Sequence, residues 1–167
     1  MKKLTLIRHA KSDWHSGAST DFDRPLNERG QKAASLMGQR LAGRGCNPDL
    51  LICSPAERAR KTAKKIAKQI NYPENEILLR EEIYEASLAT LVDLVKGLAD
   101  EEEHVMLIGH NPGFSELGEW FTEDAPDWLP TCGLLDLELA IDRWADAAED
   151  CGQLLLYDYP KRNHPES

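Results

Sequence analysis

Short apolar runs alternate along the chain with longer stretches in which apolar residues recur every three to four positions, as expected of strands separated by helices. The strand-like runs are residues 3–8, 50–53, 77–80, 105–109, 134–139 and 153–157. Between the first two, Ala33, Met37 and Leu41 fall at i, i+4 and i+8, which predicts a helix starting near Asn27 and ending by Gly43 to Gly45. In the next helical stretch Ala59, Ala63, Ile66, Ala67 and Ile70 share one face. Lys61, Lys64, Lys65 and Lys68 take the opposite face, which reads as solvated. A third helix is predicted over residues 85–99, with Leu88, Leu91, Val92 and Val95 on its apolar side. A fourth opens at Pro112 and carries Phe114, Leu117 and Phe121. Residues 122–131, with Pro126 and Pro130, read as a surface loop, and the chain from Pro160 onward as a frayed tail. The alternation predicts an α/β sheet with crossover helices. Neither a repeat nor a linker-like tract interrupts it, so one domain is expected over residues 1–160, with a tail at 161–167.

Composition narrows the class of partner. The 20 Lys and Arg against 29 Asp and Glu give a net charge of −9 and a pI near 5.0, which argues against a nucleic-acid or anionic-membrane surface as the main partner. Apolar stretches are far shorter than the roughly 18 residues of a membrane span, and Arg8 interrupts the first of them too early for a signal peptide. A cytoplasmic location is expected. Cys46, Cys53, Cys132 and Cys151 show no CxxC pair and no metal spacing with the histidines, so reduced thiols are expected.

Unusual polar residues gather at three strand-to-loop junctions, and ligands of open α/β sheets bind outside the carboxyl ends of strands. The first run delivers Arg8-His9-Ala10-Lys11-Ser12, a cationic pair that is costly on a central strand unless an anion compensates. The second enters Ser54-Pro55-Ala56-Glu57-Arg58, which reads as a capping box with Ser54 as N-cap and Glu57 at N3. Arg58 then sits against the positive end of a helix dipole, a position better suited to a bound anion than to a cation. An ion pair with Glu57 or Asp49 is the bland explanation. At the third, Gly109-His110-Asn111-Pro112-Gly113 places His110 at a strand tip, with Asn111 as N-cap and Pro112 at N1. Two Arg forks match phosphate oxygens, and a neutral His between them can attack phosphorus.

Leu6-Ile7-Arg8-His9-Ala10-Lys11-Ser12 resembles the signature of the histidine phosphatase (phosphoglycerate mutase-like) superfamily. The likeness continues through Asp21-Phe22-Asp23-Arg24-Pro25-Leu26-Asn27-Glu28-Arg29-Gly30, Ser54 to Ala59 and Gly109 to Gly113, in the order of the small SixA-type phosphohistidine phosphatases. It spans about residues 3–157, with Ala10 standing where most of the superfamily has Gly. The resemblance implies a phosphoglycerate mutase-like, three-layer α/β/α sandwich around a mostly parallel sheet. It further implies that His9 is the phosphorylated nucleophile and that Arg8, Arg58 and His110 grip the phosphoryl group. A general acid is expected in the segment Arg80 to Glu85, with Glu82 the first choice and Glu85 the second, although both also fit ordinary surface carboxylates. Ser12 or Lys11 adds a donor or a charge at the pocket rim, or serves the loop alone. Asp21, Asp23 and Arg24 read as a brace at the pocket edge. The implied partner is a phosphorylated substrate, with phosphohistidine-bearing proteins one class, and inorganic phosphate or sulfate would fit the same pocket. Neither a cofactor nor a metal is implied.

Four other readings compete. Four residues separate Cys53 from Arg58, one too few for the C-x5-R loop of cysteine phosphatases, and the loop between them has no glycine. A metal hydrolase built on His9, His15, His110 and Asp13 lacks an HxH or HExxH arrangement. A binding module without catalysis would keep Arg8 and Arg58 but has no need of His9. A broad small-molecule phosphomonoesterase remains the alternative within the enzyme class.

Overall fold

The computed structural model describes residues 1–162. Six strands form one sheet in the order β3-β2-β4-β1-β5-β6. They are β1 (Lys2–Arg8), β2 (Leu50–Cys53), β3 (Leu78–Leu79), β4 (His104–Gly109), β5 (Leu134–Leu139) and β6 (Gly152–Asp158). Strands β3, β2, β4 and β1 are mutually parallel, β5 runs antiparallel to β1, and β6 is antiparallel to β5. Only β5 therefore opposes the common direction, in keeping with the mostly parallel sheet expected. The helices are α1 (Glu28–Gly43), α2 (Glu57–Ile70), α3 (Leu88–Lys96) and α4 (Gly113–Phe121).

Strand side chains alternate between two cores because the pleat has a period of two. On β4, Val105 and Leu107 join Leu4, Leu6 and Ile52 under Leu91, Phe114, Leu117 and Phe121 of α3 and α4. Met106 and Ile108 join Ile7, Leu51 and Cys53 under Met37, Ala63 and Ile66 of α1 and α2. Both faces of the central strands are covered, which is why those strands read as unbroken apolar runs. The result is the three-layer α/β/α architecture.

Helix starts depart from expectation where the local chemistry has other uses. Asn27 caps α1 as read, accepting from the Gly30 amide at 2.7 Å. Ser54 does not cap α2: the cap position is Ala56, with no side-chain hydrogen bond, so the capping box with Glu57 is absent. Glu57 instead pairs with Arg60 and Lys61 along its own helix. The third helix begins at Leu88 rather than 85, because Ser87 takes the cap and Glu85 adopts a left-handed φ of 53°. Pro112, not Asn111, precedes α4, while the Asn111 carboxamide still accepts from the Ser115 amide and hydroxyl. In the loop 122–131, Thr122, Ala125 and Leu129 are buried, so this segment is part of the core rather than a free surface loop. Nor is the chain free at Pro160: Arg40 of α1 donates to the carbonyls of Tyr159, Pro160 and Arg162 at 3.0 to 3.4 Å. The rest of the expected tail, residues 163–167, lies outside the described residues.

Candidate active site

Strands β2, β4 and β1 lie side by side and parallel, so their carboxyl ends open at one edge of the sheet. Arg8 ends β1, Gly109 ends β4, and Cys53 ends β2, which puts His9, His110 and Ser54 on neighbouring tips. His9 is fastened there through its backbone, its amide donating to Gly109 and its carbonyl accepting from Cys132. The first turn of α1 presses on the following residues so closely that a Cβ on Gly30 would lie 2.0 Å from the Lys11 carbonyl oxygen. Around these tips is a pocket of about 340 Å³ lined by Arg8, His9, Ser12, Asp21, Arg58 and His110, among others.

The hydrogen bonds of His9 fix its proton. Nδ1 lies 2.7 Å from the Ala10 carbonyl, which only accepts, and the Arg58 guanidinium, which only donates, reaches Nε2 at 3.3 Å. Nδ1 therefore carries the hydrogen and Nε2 offers its lone pair. Burial holds the His9 imidazole down to about 3, opposed by the Ala10 hydrogen bond and assisted by His110, Arg58 and Arg8. His110 is likewise lowered to about 4, first by burial and then by Arg58. Both rings are neutral at physiological pH, with centroids 5.2 Å apart.

Arg8 and Arg58 are balanced differently. Arg8 donates to the Leu129 carbonyl at 3.0 Å and has no carboxylate partner among the described residues. Burial, and then Arg58, lower its guanidinium from the usual value. Its buried Nε and the buried Nδ1 of His110 have no hydrogen-bond partner, and both residues line the pocket. An unpaired buried N–H on an uncompensated guanidinium, with an unpaired imidazole nitrogen facing the same pocket, fits an oxyanion such as phosphate. Arg58 is neither paired with Glu57 nor with Asp49; it donates to the Asp21 carboxylate at 3.0 Å and to the Asp21 carbonyl at 2.8 Å.

Asp21 gathers the pocket edge. Its carboxylate also accepts from Arg24 at 3.0 Å and from the Tyr84 hydroxyl at 2.7 Å. Partial burial pushes its carboxyl up, but the Tyr84 hydrogen bond and the Arg58 and Arg24 guanidiniums outweigh this and hold it at about 2. Arg24 in turn donates to the buried Ser12 hydroxyl at 2.6 Å and stacks on Trp14, whose ring centre is 3.6 Å away. The Asp23 carboxylate, by contrast, accepts from the Thr20 hydroxyl at 2.8 Å.

Among the residues read from the sequence, Arg8, His9, Ser12, Arg58 and His110 are brought together, while Glu82 and Glu85 are not among the lining residues. Glu82 sits on a 3-10 turn, Glu81–Ile83, where Arg80 binds both of its oxygens at 2.7 and 2.9 Å. That fork holds its carboxyl below the ordinary value. The lining carboxylate is Asp21. Four contributors lacked a sequence signal for their role: Ser54, whose hydroxyl is 2.7 Å from His110 Nε2; Tyr84; Asn111; and Trp14. Neither of the competing chemistries gains support. Burial pushes the Cys53 thiol well above its ordinary value. Among the described residues no group of three or more His, Cys, Asp or Glu is placed to hold a metal ion.

Residues 4–123 match the histidine phosphatase superfamily, branch 1. An uncharacterized protein of Mycobacterium tuberculosis is 30% identical over 165 residues, covering 93% of this chain and all of the relative. A SixA protein of Agrobacterium tumefaciens, described as a candidate phosphohistidine phosphatase, is 30% identical; its structure covers 95% of this chain and 98% of its own, with a TM-score of 0.81. The protein histidine phosphatase SixA bound to tungstate shares the fold at 20% identity, with a TM-score of 0.80 over 95% of this chain and 97% of its own. The pocket of neutral imidazoles and buried guanidiniums and the match over most of the sequence agree: this chain belongs to the histidine phosphatase superfamily, in its SixA-type branch.

Proposed function

We propose that this phosphatase removes phosphoryl groups from phosphohistidine, through a phospho-His9 intermediate and without a metal ion. The observation that carries the reading is the lone pair of His9 Nε2, set by the Ala10 carbonyl and placed beside Arg58 within the cationic pocket. In the first step Nε2 forms a bond to phosphorus while the bond to the leaving nitrogen breaks. Arg8 and Arg58 supply the positive field for charge spread over the three equatorial oxygens, and the neutral His110 ring adds a polar contact. The leaving imidazole departs neutral when its other ring nitrogen carries the proton, so no strong acid is needed beside it. An alkyl ester is different, because its alkoxide must be protonated as it leaves. Asp21 is a carboxylate held at about 2 and is poorly suited to that task. In the second step a water oxygen bonds to phosphorus as the P–N bond to His9 Nε2 breaks, His9 returns to its neutral Nδ1–H form, and the water's proton passes to a phosphate oxygen, so that inorganic phosphate leaves. Ser54 acts through His110 as a positioning residue.

The test is hydrolysis of an aryl phosphate and of a phosphohistidine peptide in EDTA, by the wild type and by His9→Ala. We expect turnover of both to survive chelation and to fall by at least about 10⁴-fold in the variant, with an acid-labile phosphoenzyme trapped only in the wild type. Turnover that needs an added metal, or that persists in His9→Ala, would discard the mechanism.

A further inference from the structure

A second depression adjoins the phosphate pocket and has a charge opposite to that of the protein as a whole. It is a groove of about 540 Å³ between α1 and the segment that follows β6. Lys11, Arg29, Lys32 and Lys161 supply its cations, and among the described residues no Asp or Glu lines it. The chain around it carries a net charge of −9. Lys32 pairs with the exposed Glu28 at 3.7 Å, a surface contact weak enough to be exchanged. Between the cations lie half-buried apolar surfaces, with Leu36 and Tyr159 on opposite walls. The far wall is built rather than loose, because Arg40 binds the carbonyls of Tyr159 and Pro160. Lys11 and Thr131 line both the groove and the phosphate pocket, so the two are continuous.

We infer that this groove docks the polypeptide segment flanking the phosphorylated residue and selects segments rich in Asp and Glu. The inference rests on the phosphohistidine reading and adds to it the partner's chemistry. Cations around an apolar floor suit an acidic stretch that also carries apolar side chains, since each class then meets its complement. A nucleic acid would find four cations but no counterpart for the Leu36 wall. A small phosphorylated metabolite would fill the phosphate pocket and leave the groove empty.

The experiment compares kcat/KM for phosphohistidine peptides with acidic, neutral and basic flanks, with an aryl phosphate as reference, in the wild type and in an Arg29→Glu, Lys32→Glu double variant. A second pair, Arg29→Gln with Lys32→Gln, removes charge without reversing it, and thermal unfolding confirms that each variant is folded. Lys11 is left intact because it also lines the phosphate pocket. We expect the acidic peptide to be favoured by about tenfold over the neutral one, through KM, and the reversal to abolish that preference while aryl phosphate turnover stays within about twofold. Equal rates on all three peptides, with the aryl phosphate still hydrolysed, would overturn the docking surface and leave the phosphatase reading intact. An equal loss on peptide and aryl phosphate in the variants would also overturn it. A polynucleotide that displaces the acidic peptide at matched charge would give the groove to nucleic acid instead. Failure of the wild type on every phosphorylated substrate would remove both readings together.

Discussion

The strand-end wall of the pocket and the loop wall facing it obey different physics. Arg8, His9, Ser54 and His110 sit at or just past the ends of adjacent parallel strands, and the last three are less than a tenth exposed. Asp21 opens a one-turn 3-10 helix, and Tyr84 and Trp14 lie in loop segments; the Asp21 side chain is 44% exposed and Trp14 is 74% exposed. Backbone pairing positions the first set, whereas the second is held by its own side-chain contacts. The lesson is a division of labour: the imidazoles are anchored to the sheet, and the groups that close the pocket edge are hung from loops.

If that division is correct, variants should fall in a clear order. Arg58→Ala removes a phosphate donor and the partner of both His9 Nε2 and Asp21, and should lower kcat/KM by about 10³-fold on any phosphorylated substrate. A loss below tenfold would show that Arg58, which reaches the strand-end His9 from α2, is not part of the phosphate grip. Next comes pH. Both histidines titrate lower when folded, at about 3 and about 4, than in the unfolded chain at about 6.5. Below pH 6.5 the unfolded chain takes up protons that the folded protein refuses. Stability should thus be complete above that pH and decline by up to about 1.4 kcal/mol per pH unit per histidine as pH falls toward 4. The ring signals of His9 in proton NMR should stay in the neutral position down to pH 5; a midpoint near 6.5 would contradict the buried, neutral nucleophile.

Smaller effects belong to the loop wall. Asp21→Asn keeps a partner for Tyr84 but removes the charge that binds Arg58 and Arg24, and a drop of about tenfold in kcat/KM is expected. Glu82→Gln should change turnover by less than about twofold, since its exposed carboxylate binds Arg80 outside the pocket. Steady-state rates on the aryl phosphate decide both, and a large loss in Glu82→Gln would return the general acid to residues 80–85.

The anchored half of the site was legible because it is local. Apolar runs announce the strands, and the residues just beyond them fall at the sheet edge whatever the loops do. The other half depends on contacts across the chain: Tyr84 meets Asp21 over 63 positions, and Arg58 meets it over 37. No periodicity marks such partners. Ser54 shows a subtler failure, since its spacing to Glu57 satisfies a capping rule while its hydroxyl faces His110. One edge strand shows the same limit. The run at 77–80 shrinks to Leu78–Leu79, both exposed on the sheet edge, while β1 and β4, covered on both faces, each extend one residue beyond the predicted start.

Gly30 has a consequence for how such a protein can diversify. Its missing side chain lets α1 seat the loop that follows His9, whereas Arg29 and Lys32 on the same turn are exposed. One helix therefore carries an immovable bearing and two exchangeable teeth. Substitutions at the teeth can retune which partners engage while the bearing keeps the reaction geometry, so specificity and chemistry can drift at independent rates along a single turn of helix.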